Sequence, residues 1–307
     1  MQSIRDAFGE ALRDYGDQYK DVVLVSCDLK VATKSNLFYE KFPERSFEVG
    51  ISEANAIGIS AGLSLCNFKP VLSSFGAFLT GKNVEIRTSI AYNKAPVILV
   101  GTHGGLIGPD GATQSGIQDI SVMRSMPNFR VFQPSTPAMT KKILNHCLNS
   151  KSPCYMRVAR NEVPEIYDIN DKFIEGEPIL IGEKQKYSII SSGPMLHNCL
   201  KAKDILLNEH KINTNVIDIP SIKPLNQNSL LNILDKTNII FTVEDHMIEG
   251  GIGSLISEQV SASQLNIRVF SKGLYGFVGS GKPNELEKRY DLDSESIVKF
   301  VLNKLAE

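Results

Sequence analysis

Short, continuous apolar runs recur along this chain, and a segment with helical spacing separates each run from the next. Residues 21–27 read DVVLVSC, a β-branched run without the polar alternation of a half-exposed strand. A run of this kind is typical of a strand that is buried on both faces of a parallel sheet. Before it, apolar residues recur at i, i+3, i+4, i+7 and i+8 from Ile4 to Leu12, which predicts one buried helix face. The alternation predicts an α/β fold, a parallel sheet covered by helices.

The same pattern predicts the other elements of the chain. Strands are expected at 47–49, 70–75, 96–102, 129–132 and 154–158, and then at 187–192, 215–220, 238–244 and 266–272. Helices are expected at 54–63, 195–209, 226–235, 250–261 and 293–305.

Between the two sets of elements, residues 161–186 hold two prolines, two glycines and many charges without a strong period. A segment of this composition is typical of an interdomain linker. The chain of 307 residues also exceeds the ~250–300 residues at which single cores stop growing. We therefore predict two doubly wound α/β domains, at 1–160 and 187–307, joined by the linker 161–186.

The charge and composition narrow the classes of function. A formal net charge of −1 provides no basic field for nucleic acid or an anionic membrane surface. No apolar run approaches the ~18–20 residues of a membrane span, and the first residues, MQSIRD, lack the basic and apolar regions of a signal peptide. The cysteines are odd in number and scattered, so we expect reduced thiols in a cytoplasmic protein rather than disulfides or a zinc site. They are Cys27, Cys66, Cys147, Cys154 and Cys199, all expected to behave as small apolar residues.

Glu53 is the first candidate for chemistry. It lies in FEVGISEANAIG, residues 47–58, where a short strand gives way to an otherwise apolar helix. An acid at a helix N-terminus stabilises the helix dipole by ~0.3–1 kcal/mol, and this is the default interpretation of such a residue. The small and apolar neighbours Ile51, Ala54 and Ala56 favour a functional carboxylate instead.

Two further segments follow predicted strands. Residues 73–81, SSFGAFLTG, place Phe75 and Phe78 beside glycines, and these rings could form a flat wall for a ligand or belong to the core. Residues 101–114, GTHGGLIGPDGATQ, contain five glycines, which allow the backbone to approach a ligand closely. Loops at the carboxyl ends of parallel strands are where α/β proteins bind ligands.

In this order and at these spacings, the three segments resemble the pyrimidine-binding domain of transketolase, and the resemblance covers nearly the whole chain. GISEANAIGISAGLSL is similar to the glutamate helix of that family, SSFGAFLTG to its ring-stacking segment and THGGLIGPDGATQSGIQDISVMRSMPN to its substrate loop. VEDHMIEGGIGSLISE and IDIPSIKPLN resemble its C-terminal domain. The match is strongest to the two-gene form, whose second polypeptide carries only these two domains.

The resemblance implies a thiamine diphosphate cofactor, which supplies the carbanion chemistry of the family. Glu53 would hydrogen-bond a ring nitrogen of the aminopyrimidine, so that the amino group of the cofactor can act as a base. Phe78 would stack on this ring, with Phe75 nearby. Asp28, in SCDL, matches an aspartate close to the cofactor, although a plain strand-end turn residue is an almost equal alternative.

For the substrate, the resemblance implies a sugar phosphate, and for the reaction the transfer of a two-carbon ketol unit between sugar phosphates. His103 would contact the phosphate or a hydroxyl during catalysis, although an exposed loop histidine without function is the alternative. Asp110 would accept a hydrogen bond from a sugar hydroxyl. Arg160, in RVARN, would bind the phosphate through its bidentate fork, with Arg157 as the alternative.

Three departures from the family pattern matter. Gln114 stands where a histidine is usual, so it can hydrogen-bond a substrate but cannot gain a positive charge. Gly81 stands where a second stacking aromatic is often found, which favours a specialised substrate. The third departure is an absence. The chain lacks the G-D-G motif and the later asparagine that hold Mg²⁺ and the diphosphate in the family. The resemblance therefore implies no metal ligand here and an α subunit that holds Mg²⁺, in an α2β2 assembly that includes self-association of β chains.

Other interpretations remain open. The chain could be the β subunit of a 2-oxoacid dehydrogenase complex, although HGGLIGPDGAT and MRSMPN favour the transketolase type. It could belong to a 1-deoxyxylulose-5-phosphate synthase-like enzyme, although such enzymes are normally one long chain. Gln114 and Gly81 are the evidence for a third alternative, a non-catalytic regulatory subunit of the same fold.

Overall fold

The computed structural model of the chain describes residues 1–168 and 171–307, and it contains two large sheets covered by helices. The strands up to residue 168 are β1 (Gln2–Ser3), β2 (Val22–Ser26), β3 (Ser46–Glu48), β4 (Lys69–Phe75), β5 (Ile98–Thr102), β6 (Arg130–Phe132), β7 (Cys154–Val158) and β8 (Glu162–Val163). The α-helices are α1 (Ile4–Gln18), α2 (Asn36–Lys41), α3 (Glu53–Leu65), α4 (Gly76–Thr80), α5 (Asn83–Glu85), α6 (Asp119–Ser125) and α7 (Pro137–Leu148), with a 3₁₀ turn at Pro43–Arg45 and a π-helical segment at Ile86–Ala91.

The rest of the described chain repeats the alternation of strands and helices. Its strands are β9 (Ile179–Ile181), β10 (Tyr187–Ser191), β11 (Thr214–Asp218), β12 (Ser221–Lys223), β13 (Ile239–Met247) and β14 (Arg268–Leu274). Its helices are α8 (Met195–His210), α9 (Gln227–Ile233), α10 (Ile252–Ser261), α11 (Pro283–Arg289) and α12 (Ser294–Ala306).

The first sheet has seven strands in the order β12-β6-β7-β5-β4-β2-β3. Every neighbouring pair is parallel except β12 and β6, which run antiparallel, with Ser221 opposite Phe132 and Lys223 opposite Val131. β12 lies in the predicted second domain, so the second half of the chain supplies the edge strand of the first sheet. No pattern in the sequence predicts this shared strand.

The second sheet has five strands in the order β14-β13-β10-β11-β9, parallel except that β9 runs antiparallel to β11. The predicted α/β fold with mostly parallel sheets is therefore confirmed. Two strands lie in the predicted linker that its composition does not indicate: β8, which pairs with β1, and β9, which pairs with β11. The domain limits themselves stay a prediction.

The cores form because the strands are apolar on both faces. All five residues are buried in each of β2, β5 and β7, as expected for strands between two helical layers. Helix α1 begins after the capping residue Ser3, whose hydroxyl accepts a hydrogen bond from the amide of Asp6. Its predicted apolar face, from Ile4 to Leu12, is buried in the core.

Two sequence expectations concern the surface of the molecule. No helix of the described chain has the length and apolar character needed to cross a membrane. Four of the five cysteines are buried, as expected for small apolar residues, but Cys66 is exposed at the end of α3 because the helix ends there at the surface.

Candidate active site

Neighbouring strands of the first sheet end at one edge and bring the candidate residues there. β2, β4, β5 and β7 are parallel, and Asp28, Phe75, His103 and Arg160 lie at or just after their carboxyl ends. Glu53 begins α3, which follows the neighbouring strand β3. Since α/β proteins bind ligands at the carboxyl edge of the sheet, these residues lie where a ligand is expected.

Glu53 is buried, with only 7% of its surface exposed, although it is the first residue of a helix. The hydroxyl of Ser74 donates a hydrogen bond to its Oε1 at 3.0 Å, and its Oε2 takes no hydrogen bond from the described residues. Burial, followed by the nearby Glu53 carboxylate, raises the pKa of the Cys27 thiol to about 12. A partner of the helix dipole need not be buried, so an unpartnered oxygen on a buried side chain favours a ligand-binding carboxylate.

Phe75, Phe78 and His103 form a continuous wall of rings. The centroids of Phe75 and Phe78 are 5.2 Å apart with an interplanar angle of 22°, and those of Phe75 and His103 are 3.8 Å apart at 31°. Phe75 is buried, whereas Phe78 is partly exposed. The predicted stacking segment and the predicted histidine are therefore in direct contact.

His103 is 2% exposed, so it lacks the exposure that the alternative of a loop histidine without function assumed. Its Nδ1 lies 2.9 Å from the hydroxyl of Thr102, and that hydroxyl donates to the carbonyl oxygen of Ser74 at 3.3 Å. The Thr102 hydroxyl therefore connects the His103 ring to the end of β4. Burial, and then the charges of Arg5 and Arg160, lower the pKa of His103 to about 3, so the ring is neutral.

A further arginine, Arg5, lies near the residues predicted to bind the substrate, although no motif identifies it. Nη1 of Arg160 donates to Oδ2 of Asp110 at 2.6 Å, and both side chains are about one-third exposed, at 37% and 35%. Arg5, in the first turn of α1, is close enough to Arg160, Asp110 and His103 for their charges to interact. Its Nη1 donates to the carbonyl oxygen of Ala32, while its buried Nε has no partner among the described residues.

Arg157 does not lie with Arg160, Asp110 and Arg5 at the exposed part of the site. The alternative assignment of a phosphate-binding role to Arg157 is therefore corrected. The side chain is 1% exposed and forms ion pairs with Asp119 at 3.1 Å and Asp245 at 2.6 Å. Burial opposes its charge, but the two carboxylates outweigh this effect and raise the pKa of Arg157 above its usual value. A buried and fully paired guanidinium cannot receive a substrate phosphate.

The remaining candidates lie at the margin of the site. Asp28 is an exposed residue with φ of 60° after β2, and its amide donates to Oε1 of Glu48 at 2.6 Å. This geometry fits the strand-end turn alternative as well as a cofactor contact. Gln114 is half-buried, and its Oε1 has no hydrogen-bond partner among the described residues. At Gly81, an added Cβ would come within 4 Å only of the main-chain oxygens of Ala77 and Phe78.

Metal-binding capacity is a separate property of the site. Residues 1–168 and 171–307 contain no cluster of three or more His, Cys, Asp or Glu side chains that could hold a metal ion.

The fold and the site at the carboxyl edge of the first sheet define the class of the protein. It is an α/β protein whose site combines a buried acid, stacked rings and arginines. The sequence matches the transketolase pyrimidine-binding domain over residues 1–165 and the transketolase C-terminal domain over residues 177–297. The chain belongs to the transketolase family, whose members are transferases that use thiamine diphosphate.

Several relatives have a similar length. A Methanocaldococcus jannaschii protein described as a transketolase C-terminal section is 33% identical over 309 residues, which cover 99% of this chain and 96% of that protein. A subunit of the apulose-4-phosphate transketolase of Actinobacillus succinogenes is 30% identical, and the match covers 92% of both chains. A solved structure described as a split gene transketolase, inactive beta4 tetramer, has a TM-score of 0.91, 32% identity and coverage of 100% of this chain and 99% of that one.

Other relatives are longer. The chain spans 48% of human transketolase, to which it is 34% identical over 302 residues. It also spans 48% of the 1-deoxy-D-xylulose-5-phosphate synthase of Clostridium tetani, at 31% identity over 297 residues.

Proposed function

We propose that the chain is the β subunit of a transketolase-type enzyme that transfers a two-carbon ketol unit between sugar phosphates. The observation that carries the proposal is the buried Glu53 carboxylate, with one oxygen free, at the same sheet edge as the rings of Phe75 and Phe78. A partly exposed ring beside a buried acid fits an aminopyrimidine, which offers both a flat face and ring nitrogens.

In this proposal, each residue of the site has one task toward the cofactor. Thiamine diphosphate, when bound, supplies the stabilised carbanion chemistry. Glu53 holds a proton at the pyrimidine nitrogen, and the hydroxyl of Ser74 orients the carboxylate by occupying Oε1. Phe78 stacks on the pyrimidine, Phe75 supports Phe78 from behind, and Asp28 lies at the margin of the same site.

On the substrate side, the proposal assigns the phosphate to Arg160 and Arg5 and the hydroxyls to the other residues. Arg160 would exchange its bond to Asp110 for the phosphate, and the nearby positive charge of Arg5 would add to the attraction. Since His103 is neutral, it suits a sugar hydroxyl better than a phosphate. Gln114 would offer a further amide.

A phosphate-binding role of Arg160 predicts a selective loss of affinity. In Arg160→Met, we expect the KM for xylulose 5-phosphate to rise about 10–100-fold, because a charge-assisted hydrogen bond contributes ~1.5–3 kcal/mol. The KM for unphosphorylated xylulose should change little. Steady-state kinetics of the reconstituted enzyme measure both values, and Arg13→Met, which removes an exposed arginine of α1, is the control. Equal changes for the two sugars would contradict the assignment.

The neutral state of His103 predicts how activity depends on pH. Because burial lowers its pKa to about 3, the ring stays uncharged when the pH falls from about 8 to about 5, unlike an ordinary histidine. We expect His103→Asn to lower kcat/KM about 10-fold or more while the acid limb of the pH profile keeps its position. A wild-type limb near the usual histidine value that disappears in the variant would show that His103 titrates in the active enzyme.

The proposal includes a partner chain, and we place the whole enzyme in the cytoplasm. An α subunit would hold the diphosphate and Mg²⁺, and the α2β2 assembly would contain β–β contacts. The relatives of similar length, one described as a transketolase subunit and one as a C-terminal section, support a separate partner. The test mixes this chain with the chain that carries the missing motif and measures ketol transfer from xylulose 5-phosphate. Tight binding of thiamine diphosphate and Mg²⁺ by this chain alone would contradict the two-subunit proposal.

A second candidate is a 1-deoxyxylulose-5-phosphate synthase-like reaction, since one such synthase is as similar as the transketolase-named relatives. The two reactions differ in the donor, which is a 2-oxoacid that releases CO₂ in the synthase. Incubation of the reconstituted enzyme with pyruvate, and separately with xylulose 5-phosphate, distinguishes them. The same pair of assays tests the 2-oxoacid dehydrogenase alternative, and absence of both activities would favour a regulatory subunit.

A further inference from the structure

Arg157 connects the second half of the chain to the glycine loop, which we define as residues 103–118. Its Nη1 donates to Oδ1 of Asp245 on β13, and its Nη2 donates to the main-chain oxygens of Gly116 at 2.8 Å and Asp245 at 3.1 Å. Its Nε donates to both carboxylate oxygens of Asp119 at 3.1 Å. All three nitrogens are used, so the guanidinium has one position, and the loop carbonyl is bound to it.

Hydrogen bonds within the glycine loop connect Gly116 to His103. The amide of Gly116 donates to the carbonyl oxygen of His103 at 3.0 Å, and the amide of Gly105 donates to the carbonyl oxygen of Gly116 at 3.0 Å. His103 itself has a φ of 59°, which a residue other than glycine keeps only when its surroundings impose it. The bonds that close the loop at Gly116 therefore hold the backbone of His103, whose ring lies against Phe75.

Glycines let the loop lie directly on the buried ion pairs. An added Cβ on Gly104 would lie 2.4 Å from Nε of Arg157, and one on Gly105 would lie 1.9 Å from Oδ2 of Asp245. Any side chain at either position would displace the ion pair. The glycines are thus required by the charged groups behind the loop as well as by its turns.

Strand β13 makes additional contacts with the same region. The amide of Met247 donates to the carbonyl oxygen of Ile117 at 2.9 Å. The side chain of His246, wholly buried, accepts the amide of Ser121 on Nε2 at 3.3 Å and donates from Nδ1 to the Met247 oxygen at 2.6 Å. Met247 therefore binds the glycine loop and His246 the helix that follows it, whereas Asp245 is connected to the loop through Arg157.

We propose that Asp245 and Arg157 are positioning residues of the active site, and that the second half of the chain acts in the reaction by holding the glycine loop for the substrate. Asp245 fixes the guanidinium of Arg157, Arg157 fixes Gly116, and Gly116 fixes the backbone of His103. Glu53 and Phe78 lie on α3 and α4 and make none of these hydrogen bonds. The proposal rests on the proposed function for its kinetic consequences only.

The test compares Asp245→Val with Asp245→Asn. Valine has a similar shape but cannot accept from Arg157, so we expect the KM for xylulose 5-phosphate to rise about 10-fold. The thiamine diphosphate concentration for half-maximal activity should stay within about twofold, because Glu53 and Phe78 make none of the hydrogen bonds that the change removes. Asparagine can still accept the hydrogen bond from Nη1 and should restore most of the loss. In hydrogen exchange of the chain itself, the amides of Gly105 and Gly116 should lose protection in Asp245→Val.

Glu244→Gln is the matched control. Glu244 is the neighbouring buried acid of β13, but its carboxylate accepts the amides of Ile252 and Gly253 at the start of α10 and does not contact the glycine loop. Its replacement should lower stability without changing the KM. Unchanged KM and loop protection in Asp245→Val, or equal changes in Glu244→Gln, would overturn the proposal. A wild-type complex without ketol transfer would contradict the proposed function instead, and the exchange measurement would still test the loop.

Discussion

In Glu53→Gln, we expect kcat of the reconstituted enzyme to fall by about 10³-fold, within the roughly 10²–10⁴ range of a positioned proton-transfer group. Glutamine keeps the shape and can still accept the hydrogen bond from Ser74, but it cannot hold a proton at a pyrimidine nitrogen. The thermal unfolding midpoint should remain near that of the wild type. Single-turnover kinetics with xylulose 5-phosphate measure the loss directly.

Glu285→Gln separates this role from a helix-dipole role. Glu285 also lies in the first turn of a helix, α11, and its carboxylate accepts the amide of Lys282 at 3.4 Å, but it is exposed. If Glu53 only stabilised the dipole of α3, both changes would cost a few tenths to ~1 kcal/mol of stability and leave catalysis intact. An active Glu53→Gln enzyme would therefore end the proposed mechanism and favour the regulatory-subunit alternative.

In Arg157→Met, we expect the free energy of unfolding to fall by about 3–5 kcal/mol, because one partner of a buried ion network is removed. Methionine has a similar volume, so the loss comes mainly from Asp119 and Asp245, which would remain buried without their counter-ion. Urea denaturation of the chain, followed by circular dichroism, measures the difference.

The control for this prediction is an ion pair at the surface. Lys184 and Asp235 are 2.9 Å apart, with 29% and 50% of their side chains exposed. Lys184→Met should cost no more than about 1 kcal/mol, the usual limit for an exposed pair. A loss below that limit in Arg157→Met would mean that Asp245 becomes protonated and so leaves no unpaired charge there, in line with burial already raising the pKa of Asp245.

The long apolar strands could be predicted from sequence because burial on both faces requires a continuous apolar run. Such runs located β2, β5 and β7 to within two residues of their observed limits. The short edge strands β9 and β12 could not be predicted in this way. Ser221 pairs with Phe132, and each of these strands has only three residues, so long-range pairing rather than local pattern creates them.

Some residues of the candidate site could likewise be predicted from the sequence, and others could not. Phe75 and His103 follow strand ends within recognisable segments, and the structure brings their rings into contact. Arg157 was given a phosphate-binding alternative because its partners lie 38 and 88 residues away along the chain. Arg5 was missed because an arginine in a first helical turn has no motif, although its position beside the buried face of α1 was a usable signal.

The pairing of β12 with β6 would hold the two halves of the chain together even after the covalent chain was cut between them. A protease cut between β8 and β9 would leave β12 hydrogen-bonded to β6, and Asp245 still paired with Arg157. The two pieces would then co-migrate as a non-covalent complex. Conversely, a shortened polypeptide without β12 would present the open β6 edge to solvent, a surface that recruits other strands and promotes aggregation.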